Sequence, residues 1–446
     1  MKSILSCLAV LFVFNTALVA QSPKPTKILI NNVEIFNGKD AKTTKGNVLI
    51  ENNIITKISA EGIITDRNGF TQIIDGQGKF LMPGLIDAHV HLLFESVPQM
   101  QAMVSDFAML NLMAAKSAEK QLLRGFTTVR DLGGGSLTLA KAIDLGLANG
   151  PRVYSSGAFI SQTGGHGDFG LPTDVPRKIG ELSYPERNGM VAVADGADNV
   201  LMRTREQLRQ GATQIKLMAG GGVSSNYDPL DVTQYTEAEF KAAVSAAQNW
   251  GTYVTVHAYT PDAIQTAIQA GVKCIDHGQL ADEKTAKLMA EKEVWWSLQP
   301  FVDNGNSRFP EGSPNRLKQD EMRKGTDIAY SLAKKYNIKT AWGTDILFDS
   351  NEATKQGEKL SSLTRWYTPF EILKMATSDN AALLRMSGKR DPYQKGKLGE
   401  ISVGAYADLI LVNGSPLTNI KLVENPDANF VLIMKDGVIY KNTLNK

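Results

Sequence analysis

The sequence is short of cysteine and carries almost no excess charge. Its 446 residues include only two cysteines, Cys7 and Cys274, and Cys7 lies in an N-terminal segment that we expect to be removed. The mature chain is therefore predicted to have no internal disulfide. Lysine and arginine together number 48 and aspartate and glutamate 46, without a long block of either sign. This balance argues against nucleic acid or an anionic membrane surface as the partner, and favours a small neutral or mixed ligand.

The glycine-rich stretches lack the ending of a phosphate-binding loop. Residues 133–135 and 220–222 are each three consecutive glycines, but neither run is followed by Gly-Lys-Ser or Gly-Lys-Thr. Both follow predicted strands, where a barrel needs open loops. We therefore do not predict a nucleotide site there.

Residues 1–20 are predicted to be a secretory signal peptide. A short basic start precedes an apolar stretch that ends at Ala20, and a polar segment with a proline follows. We place the cleavage after Ala20, although Leu18 stands where a smaller residue is usual. An uncleaved anchor is the alternative, but the stretch is short for a membrane span, and Cys7 comes too early for a lipid anchor. We expect an exported protein, periplasmic or secreted, with no stable membrane insertion after cleavage.

Two β-rich segments lie near the two ends of the chain. Short apolar runs alternate with Asn and Gly turns between residues 27 and 80, and the same pattern of short β runs and turns recurs after residue 396. In the second segment, Lys435-Asp436-Gly437 is typical of a tight hairpin turn. Because the ends of a domain often lie close in space, we predict a discontinuous β-sandwich made of residues 21–80 and 396–446.

The intervening segment, residues 81–395, alternates apolar β runs with helical patterns. This order is expected of a parallel sheet connected by crossover helices. Eight strands are predicted, at residues 81–91, 127–132, 152–160, 214–218, 253–259, 274–278, 294–298 and 340–346. Eight such units favour an α/β fold of the (β/α)8 barrel type, with its active site where the strands end.

The first of these strands carries two histidines, His89 and His91. Because alternate residues of a strand face the same side, both imidazoles are expected to point the same way. Two imidazoles on one face are suited to a metal ion. The motif is weak by itself, since a strand that happens to contain two histidines would look the same.

Further polar residues stand at the ends of other predicted strands: Lys216, His257, His277 and Asp345. Taken singly, each has an ordinary alternative as a core histidine, a capping aspartate or a lysine that reaches solvent. Together they converge on one space, and imidazoles and carboxylates suit zinc and similar divalent ions. A charged lysine is costly to bury, whereas a neutral one can react with carbon dioxide to give a bridging carbamate. We infer a two-metal site with a bridging hydroxide.

These motifs resemble the amidohydrolase superfamily, in the branch of imidazolonepropionase-like proteins, Xaa-Pro and Xaa-Arg dipeptidases and ochratoxin-hydrolysing amidases. The resemblance covers nearly the whole mature chain. It is most specific at residues 82–91, 161–168, 216–222, 257–260, 276–278 and 343–345. It implies two divalent ions, with zinc expected: His89, His91 and Asp345 hold one, His257 and His277 the other, and N6-carboxylysine at Lys216 bridges them.

Several residues are assigned roles in catalysis and substrate binding. Asp345 is expected to move a proton from the attacking water to the leaving amine. His166 lies in a glycine-rich loop and is proposed to bind the carbonyl oxygen, the alternative being a loop histidine without a task. Tyr259 lies two residues beyond His257 and resembles a contact to the substrate carboxylate. Tyr227 and Tyr235 are further candidates, for which packing or a surface position is the alternative.

The expected function is metal-dependent hydrolysis of an amide or peptide bond in a small substrate, a dipeptide or N-acyl amino acid of the Xaa-Pro type. Rival substrates are a cyclic amide, a carboxylic ester or a xenobiotic amide. A rival of another class is a catalytically inactive assembly protein of the same fold, which predicts lost ligands. A solute-binding barrel would not need a buried lysine beside four histidines. We also expect a homo-oligomer.

Overall fold

The computed structural model describes residues 27–65, 71–178, 180–303, 305 and 307–444. The predicted signal peptide, residues 1–20, lies outside the described residues. Within the described part of the chain, none of the helices is both long and apolar enough to cross a membrane.

Strands from both ends of the chain form one eight-stranded sheet, as expected for a small β domain built from the two termini. The C-terminal strand β16 (Leu409–Val412) pairs antiparallel with β5 (Phe80–Pro83), and β5 pairs in parallel with β1 (Lys27–Ile35), so the two segments are joined inside one sheet. Apolar side chains from both segments, such as Ile30, Leu81 and Leu409, pack together in its core. The strands are β1 (Lys27–Ile35), β2 (Thr44–Glu51), β3 (Ile54–Ser59), β4 (Thr71–Asp75), β5 (Phe80–Pro83), β16 (Leu409–Val412), β17 (Phe430–Lys435) and β18 (Val438–Asn442).

The first predicted barrel strand, residues 81–91, is divided between the two parts of the molecule. Its start belongs to β5 of the small sheet, and only the following strand β6 (Leu85–Val90) enters the barrel. The break falls at Gly84, whose N–H donates to the carbonyl of Asp408 at 2.8 Å. A Cβ on Gly84 would lie 2.0 Å from Oγ1 of Thr127, so only glycine fits this close approach.

Parallel strands and helices alternate through the rest of the chain and confirm the predicted (β/α)8 barrel. The third predicted strand, residues 152–160, is broken at Gly157, which has a positive φ of 71°. The N–H of Thr213 donates to the carbonyl of Ser155 and the N–H of Asp345 to that of His89, both at 2.8 Å, which ties the two sheets into one ring. The remaining strands are β7 (Phe126–Asp131), β8 (Arg152–Ser155), β9 (Phe159–Ser161), β10 (Val191–Val193), β11 (Ile215–Met218), β12 (Val254–Ala258), β13 (Cys274–His277), β14 (Trp295–Leu298) and β15 (Thr340–Trp342).

The helices begin and end where the sequence provides caps. For example, Thr236 and Glu239 form a capping box at the start of one helix, and Gly251 ends it with a positive φ of 75°. The α-helices are α1 (Gln99–Val104), α2 (Phe107–Leu123), α3 (Leu137–Asp144), α4 (Tyr184–Arg187), α5 (Ala197–Gln210), α6 (Glu237–Trp250), α7 (Pro261–Gln269), α8 (Glu283–Glu291), α9 (Pro314–Lys335), α10 (Gln356–Ser361), α11 (Pro369–Lys374), α12 (Asn380–Leu384) and α13 (Pro426–Asn429).

A buried arginine connects the barrel to the small sheet. Arg152, the first residue of β8, donates from Nε to Asp408 at 3.0 Å and also pairs with Asp436. Its guanidinium lies over the ring of Tyr406, with Cζ 3.9 Å from the centroid. Burial by itself would lower the pKa of Arg152, but the two carboxylates outweigh it and raise that pKa above its usual value. The N-terminal edge of the barrel is thereby held to the sheet.

Candidate active site

All five histidines of the chain line one cavity at the C-terminal end of the barrel strands. The ring centroids of His89 and His277 are 4.9 Å apart, those of His257 and His277 4.6 Å, and those of His166 and His257 4.1 Å. His91 lies beside His89, with centroids 5.3 Å apart. The residues that the sequence distributes over several strands are therefore brought together in space.

Two of the clustered residues have a backbone conformation that L-residues rarely adopt. His277, the last residue of β13, has a φ of 75°, and Asp345, just beyond β15, has a φ of 49°. Such a conformation costs about 1–3 kcal/mol per residue and persists where the surrounding structure enforces it, often at functional sites. The turn at each strand end directs the side chain into the cavity, which both residues line.

Asp345 connects the histidines of the first strand to those across the barrel. Its Oδ1 lies 3.3 Å from Nε2 of His89 and 3.3 Å from Nε2 of His91, and its Oδ2 lies 3.9 Å from Nδ1 of His277. Burial by itself would raise the pKa of Asp345, but the hydrogen bond from His91 and the neighbouring His277 outweigh it and leave that pKa below its usual value. The carboxylate is thus ionised and available as a ligand.

Lys216 is buried in the wall of this cavity, with 1% of its surface exposed. Its Nζ donates to Oδ2 of Asp276 at 2.6 Å, and Asp276 also accepts from Arg130 at 2.7 Å and from Thr255 at 2.7 Å. Burial lowers the pKa of Lys216 although Asp276 opposes that shift. Asp276 itself is held ionised, since Lys216 and Arg130 outweigh its burial and lower its pKa to about 2. Burial thus shifts Lys216 towards the neutral form that carbamate formation requires.

The donor set fits a divalent metal ion. Ligand atoms of His89, His277 and Asp345 all lie within 4.8 Å of one another. Burial lowers the pKa of His277 to about 4 and holds the pKa of both His89 and His257 well below its usual range, so these imidazoles are neutral and offer a lone pair. Neutral imidazoles with a carboxylate are the ligands that zinc and similar ions take. The division of the ligands between two ions stays a prediction.

Hydrogen bonds to the second ring nitrogen orient the histidines, and no sequence motif predicts these partners. Gln299 accepts from Nδ1 of His277 at 2.7 Å, and its amide nitrogen lies 3.3 Å from Nδ1 of His89. The carbonyls of Gly133 and Gly221 lie within 3.2 Å of ring nitrogens of His91 and His257, respectively. Such partners fix the ring orientation and the tautomer of metal-binding histidines.

His166 lies on the wall of the same cavity, next to His257. Its Nδ1 is 2.7 Å from the hydroxyl of Ser225, and its backbone N–H donates to Gln234 at 3.0 Å. Gly222 is packed so closely against the imidazole that a Cβ there would lie 1.9 Å from Cε1 of the ring. Burial lowers the pKa of His166 to about 4. The ring is therefore held in one position on the cavity wall.

The cavity has a volume of about 630 Å3, with apolar walls and a charged rim. Aromatic rings cover much of the wall, and four of them pack against one another: Phe94, Phe159, Phe169 and Phe348. Tyr259 is buried and also lines the cavity, 4.9 Å from His257 between ring centroids, as its spacing predicted.

Two of the predicted substrate contacts lie elsewhere. Tyr235 belongs to the barrel core, where its ring packs against Phe240 and its hydroxyl donates to the carbonyl of Ala194 at 2.9 Å. Tyr227 is 56% exposed and is not part of the described cavity wall. The structure corrects both expectations, because it buries the side chain of Tyr235 in the barrel core and exposes that of Tyr227 to solvent.

The fold and this site together define the class of protein to which the chain belongs. The chain belongs to the amidohydrolase family, whose model matches residues 80–442. It is a hydrolase that acts on amide or peptide bonds, and the family generally uses divalent metal ions. The resemblance expected from the motifs is confirmed.

Particular relatives cover most of the chain. An ochratoxinase from Aspergillus niger is 32% identical over 381 residues, which is 81% of this chain and 75% of the relative. A prolidase solved in complex with N-methylphosphonate-L-proline has a TM-score of 0.83 and 31% identity, covering 94% of this chain and 100% of that one. A Xaa-Pro dipeptidase with methionine bound in its active site has a TM-score of 0.79 and 29% identity, again covering 94% and 100%.

Proposed function

We propose that the protein is a two-metal hydrolase of small amides that carry a free carboxylate, either dipeptides of the Xaa-Pro type or N-acyl amino acids. The observation that carries this proposal is Lys216, which is buried beside four histidines and Asp345 and has a lowered pKa. A relative that had lost its activity would not be expected to keep all six of these side chains in one cavity.

Each predicted ligand has a place in the proposal. His89, His91 and Asp345 would hold one ion, His257 and His277 the other, and carboxylated Lys216 would bridge them, with zinc as the expected metal. Bound ions of this kind polarise a carbonyl and lower the pKa of water. Asp276, which is itself held by Arg130, positions the amino group of Lys216 through the hydrogen bonds described above.

The remaining steps are performed by side chains of the chain itself. Asp345 accepts a proton from the attacking water as the water oxygen bonds to the carbonyl carbon, and then delivers it to the amine nitrogen as the C–N bond breaks. In the tautomer that carries its proton on Nε2, in which Nδ1 accepts from the Ser225 hydroxyl, His166 donates a hydrogen bond to the carbonyl oxygen as negative charge develops. The aromatic wall excludes water from the reacting bond.

The size and lining of the cavity favour a substrate with a large apolar group. A volume of about 630 Å3 is ample for a dipeptide, and the rings of Phe94, Phe159, Phe169 and Phe348 provide an apolar surface. The prolidase and Xaa-Pro dipeptidase relatives support a dipeptide. The aromatic wall supports an N-acyl amino acid with an aromatic acyl group or side chain equally well. Tyr259 is proposed to donate a hydrogen bond from its hydroxyl to the substrate carboxylate.

Metal analysis and kinetics on one pair of variants test the proposal. Wild-type protein is expected to hold about two ions per chain, and Lys216→Ala to lose most of the metal and the turnover together. Lys241→Ala, which removes an exposed lysine of α6 paired with Glu237, is the matched control and should change neither. Full activity or two ions in Lys216→Ala would refute the bridging role.

A substrate screen and two solution measurements complete the test. Libraries of Xaa-Pro, Xaa-Arg and N-acyl amino acids should include at least one substrate, and the absence of any carboxylate-bearing substrate would refute the proposed class. Export with cleavage after Ala20 and assembly into a homo-oligomer stay predictions. N-terminal sequencing of the mature protein and light scattering test them.

A further inference from the structure

We propose that Arg308 is the cation that binds the substrate carboxylate and thereby selects amides whose amine portion is an amino acid. This inference rests on the proposed hydrolase function and deepens it. Arg308 lies in the segment between β14 and α9 and lines the same cavity as the histidine cluster.

The guanidinium of Arg308 is held in place from two sides. Its Nη1 donates to the carbonyl of Leu347. Its Cζ lies 4.8 Å from the ring centroid of Phe309 and 5.5 Å from that of Phe348. Contacts with a carbonyl and two aromatic faces orient an arginine without neutralising its charge. The side chain is therefore prepared for a ligand that supplies the negative charge.

The other cations along this cavity already have partners. Arg323 pairs with Asp303 at 3.2 Å, and both Lys355 and Lys359 pair with Glu352 at 2.8 Å. Lys216 is bonded to Asp276 at 2.6 Å. Among the described residues, no carboxylate forms an ion pair with Arg308. The positive charge that remains for an incoming anion is thus concentrated on this one guanidinium.

The anchoring point of Arg308 lies close in sequence to the catalytic carboxylate, which suits an amino acid as the leaving group. The carbonyl that accepts from Arg308 belongs to Leu347, only two residues beyond Asp345. Two residues span at most about 7 Å. The length of one amino acid, about 3.8 Å, plus a charge-assisted hydrogen bond of about 2.8 Å gives a span of similar size. The planar guanidinium matches both oxygens of a carboxylate.

This arrangement divides the recognition of the carboxylate between two residues. Arg308 supplies the charge, whereas Tyr259 supplies a neutral hydroxyl on the same cavity wall. The difference makes the inference testable, because a substrate with a neutral carboxamide in place of the carboxylate keeps its hydrogen-bonding groups and loses only the charge.

Kinetics on two matched substrate pairs test the role of Arg308. The pairs are N-benzoyl-L-phenylalanine with its carboxamide, and L-phenylalanyl-L-proline with its prolinamide. In Arg308→Gln we expect KM for the acids to rise about 10- to 100-fold, as for the loss of a hydrogen bond between charged groups, with kcat little changed. KM for the carboxamides should stay constant, and Arg308→Lys should restore part of the affinity for the acids. Arg323→Gln, which removes a cavity arginine that is already paired, should leave the ratio of acid to carboxamide unchanged.

Several outcomes would overturn the inference. Equal losses on acids and carboxamides in Arg308→Gln would show that the residue only supports the loop, and an unchanged KM for the acids would show that it does not touch the carboxylate. If the wild type hydrolyses neither pair, the proposed function fails rather than this inference. Calorimetric binding of N-benzoyl-L-phenylalanine to wild type and Arg308→Gln then decides, since equal affinity, or no binding to either protein, would refute the role of Arg308. Metal content and circular dichroism of each variant establish that it is folded.

Discussion

Replacing Gly222 by alanine should remove His166 from the catalytic site without touching any of the predicted metal ligands. The new Cβ would lie 1.9 Å from Cε1, 2.0 Å from Nδ1 and 2.6 Å from Nε2 of the imidazole. Non-bonded carbon atoms approach to about 3.5 Å, so the ring has to retreat by roughly 1.6 Å. It would then lose the 2.7 Å hydrogen bond with Ser225 and its stacking on His257.

The magnitude follows from this displacement. A misplacement of about 1 Å in a positioned group can cost about 100-fold in rate, and the loss of one donor to a developing oxyanion costs about 100- to 1000-fold in kcat. We therefore expect kcat of Gly222→Ala to fall about 100- to 1000-fold. The free energy of unfolding should fall by only about 1–3 kcal/mol, the usual cost of overpacking.

The assay compares kcat, metal content and thermal unfolding of Gly222→Ala with those of Gly220→Ala. Gly220 belongs to the same glycine run, but a Cβ there meets its nearest atom only at 3.3 Å. Gly220→Ala should therefore retain most of the activity. If Gly222→Ala keeps kcat within threefold of the wild type, the ring of His166 is not needed where the structure places it, and its proposed role is wrong.

Two further predictions concern stability. Arg152→Met leaves buried Asp408 without its charged partner and should lower the free energy of unfolding by about 3–5 kcal/mol, whereas Arg365→Met, which breaks an exposed pair with Asp327, should lower it far less. Similar losses of stability in the two variants, measured by denaturant unfolding, would refute the role of Arg152 in joining the barrel to the small sheet. Lys435 is 5% exposed, and burial, followed by repulsion from Arg152, lowers its pKa below the usual 10.5. The folded state therefore binds this proton less tightly than the unfolded state, and wild-type stability should rise with pH between the lowered pKa and 10.5. Lys435→Met should be more stable than the wild type at pH 7, and the gap in thermal midpoint should narrow as pH approaches 10; a gap independent of pH would contradict the argument.

The sequence predicts the barrel because its periodic signals are local. Strands of three to six residues recur with helices between them, and the cavity residues His89, His257 and Asp345 stand at or near the ends of such strands. The principle that strand ends share one face of a barrel then brings them together without knowledge of any contact. Tyr259 was found by the same reasoning, since it lies two residues beyond His257.

The partners of these residues could not be predicted in this way, because they depend on contacts between distant parts of the chain. Arg130 reaches Asp276 over 146 positions, and Gln299 approaches His89 over 210. Neither residue belongs to a recognisable motif. Tyr235 shows the converse error: it lies near the site in sequence, but packing decides that its hydroxyl faces the core. The division of residues 81–91 at Gly84 depends likewise on Thr127, a residue of the next strand.

The small sheet can be completed only late in synthesis, because it needs strands from both ends of the chain. Leu81 of β5 pairs with Leu411 of β16. This edge of β5 therefore has no pairing strand until the ribosome has translated a further 330 residues. Until then the four buried residues of β5, Phe-Leu-Met-Pro, present an apolar edge of the kind that templates aggregation. The whole barrel is made during this interval, and its contacts are available to fold first. The C-terminal segment that contains β16 thus covers this edge, and a nascent chain released before β16 is made would leave the edge of β5 unpaired and prone to aggregation.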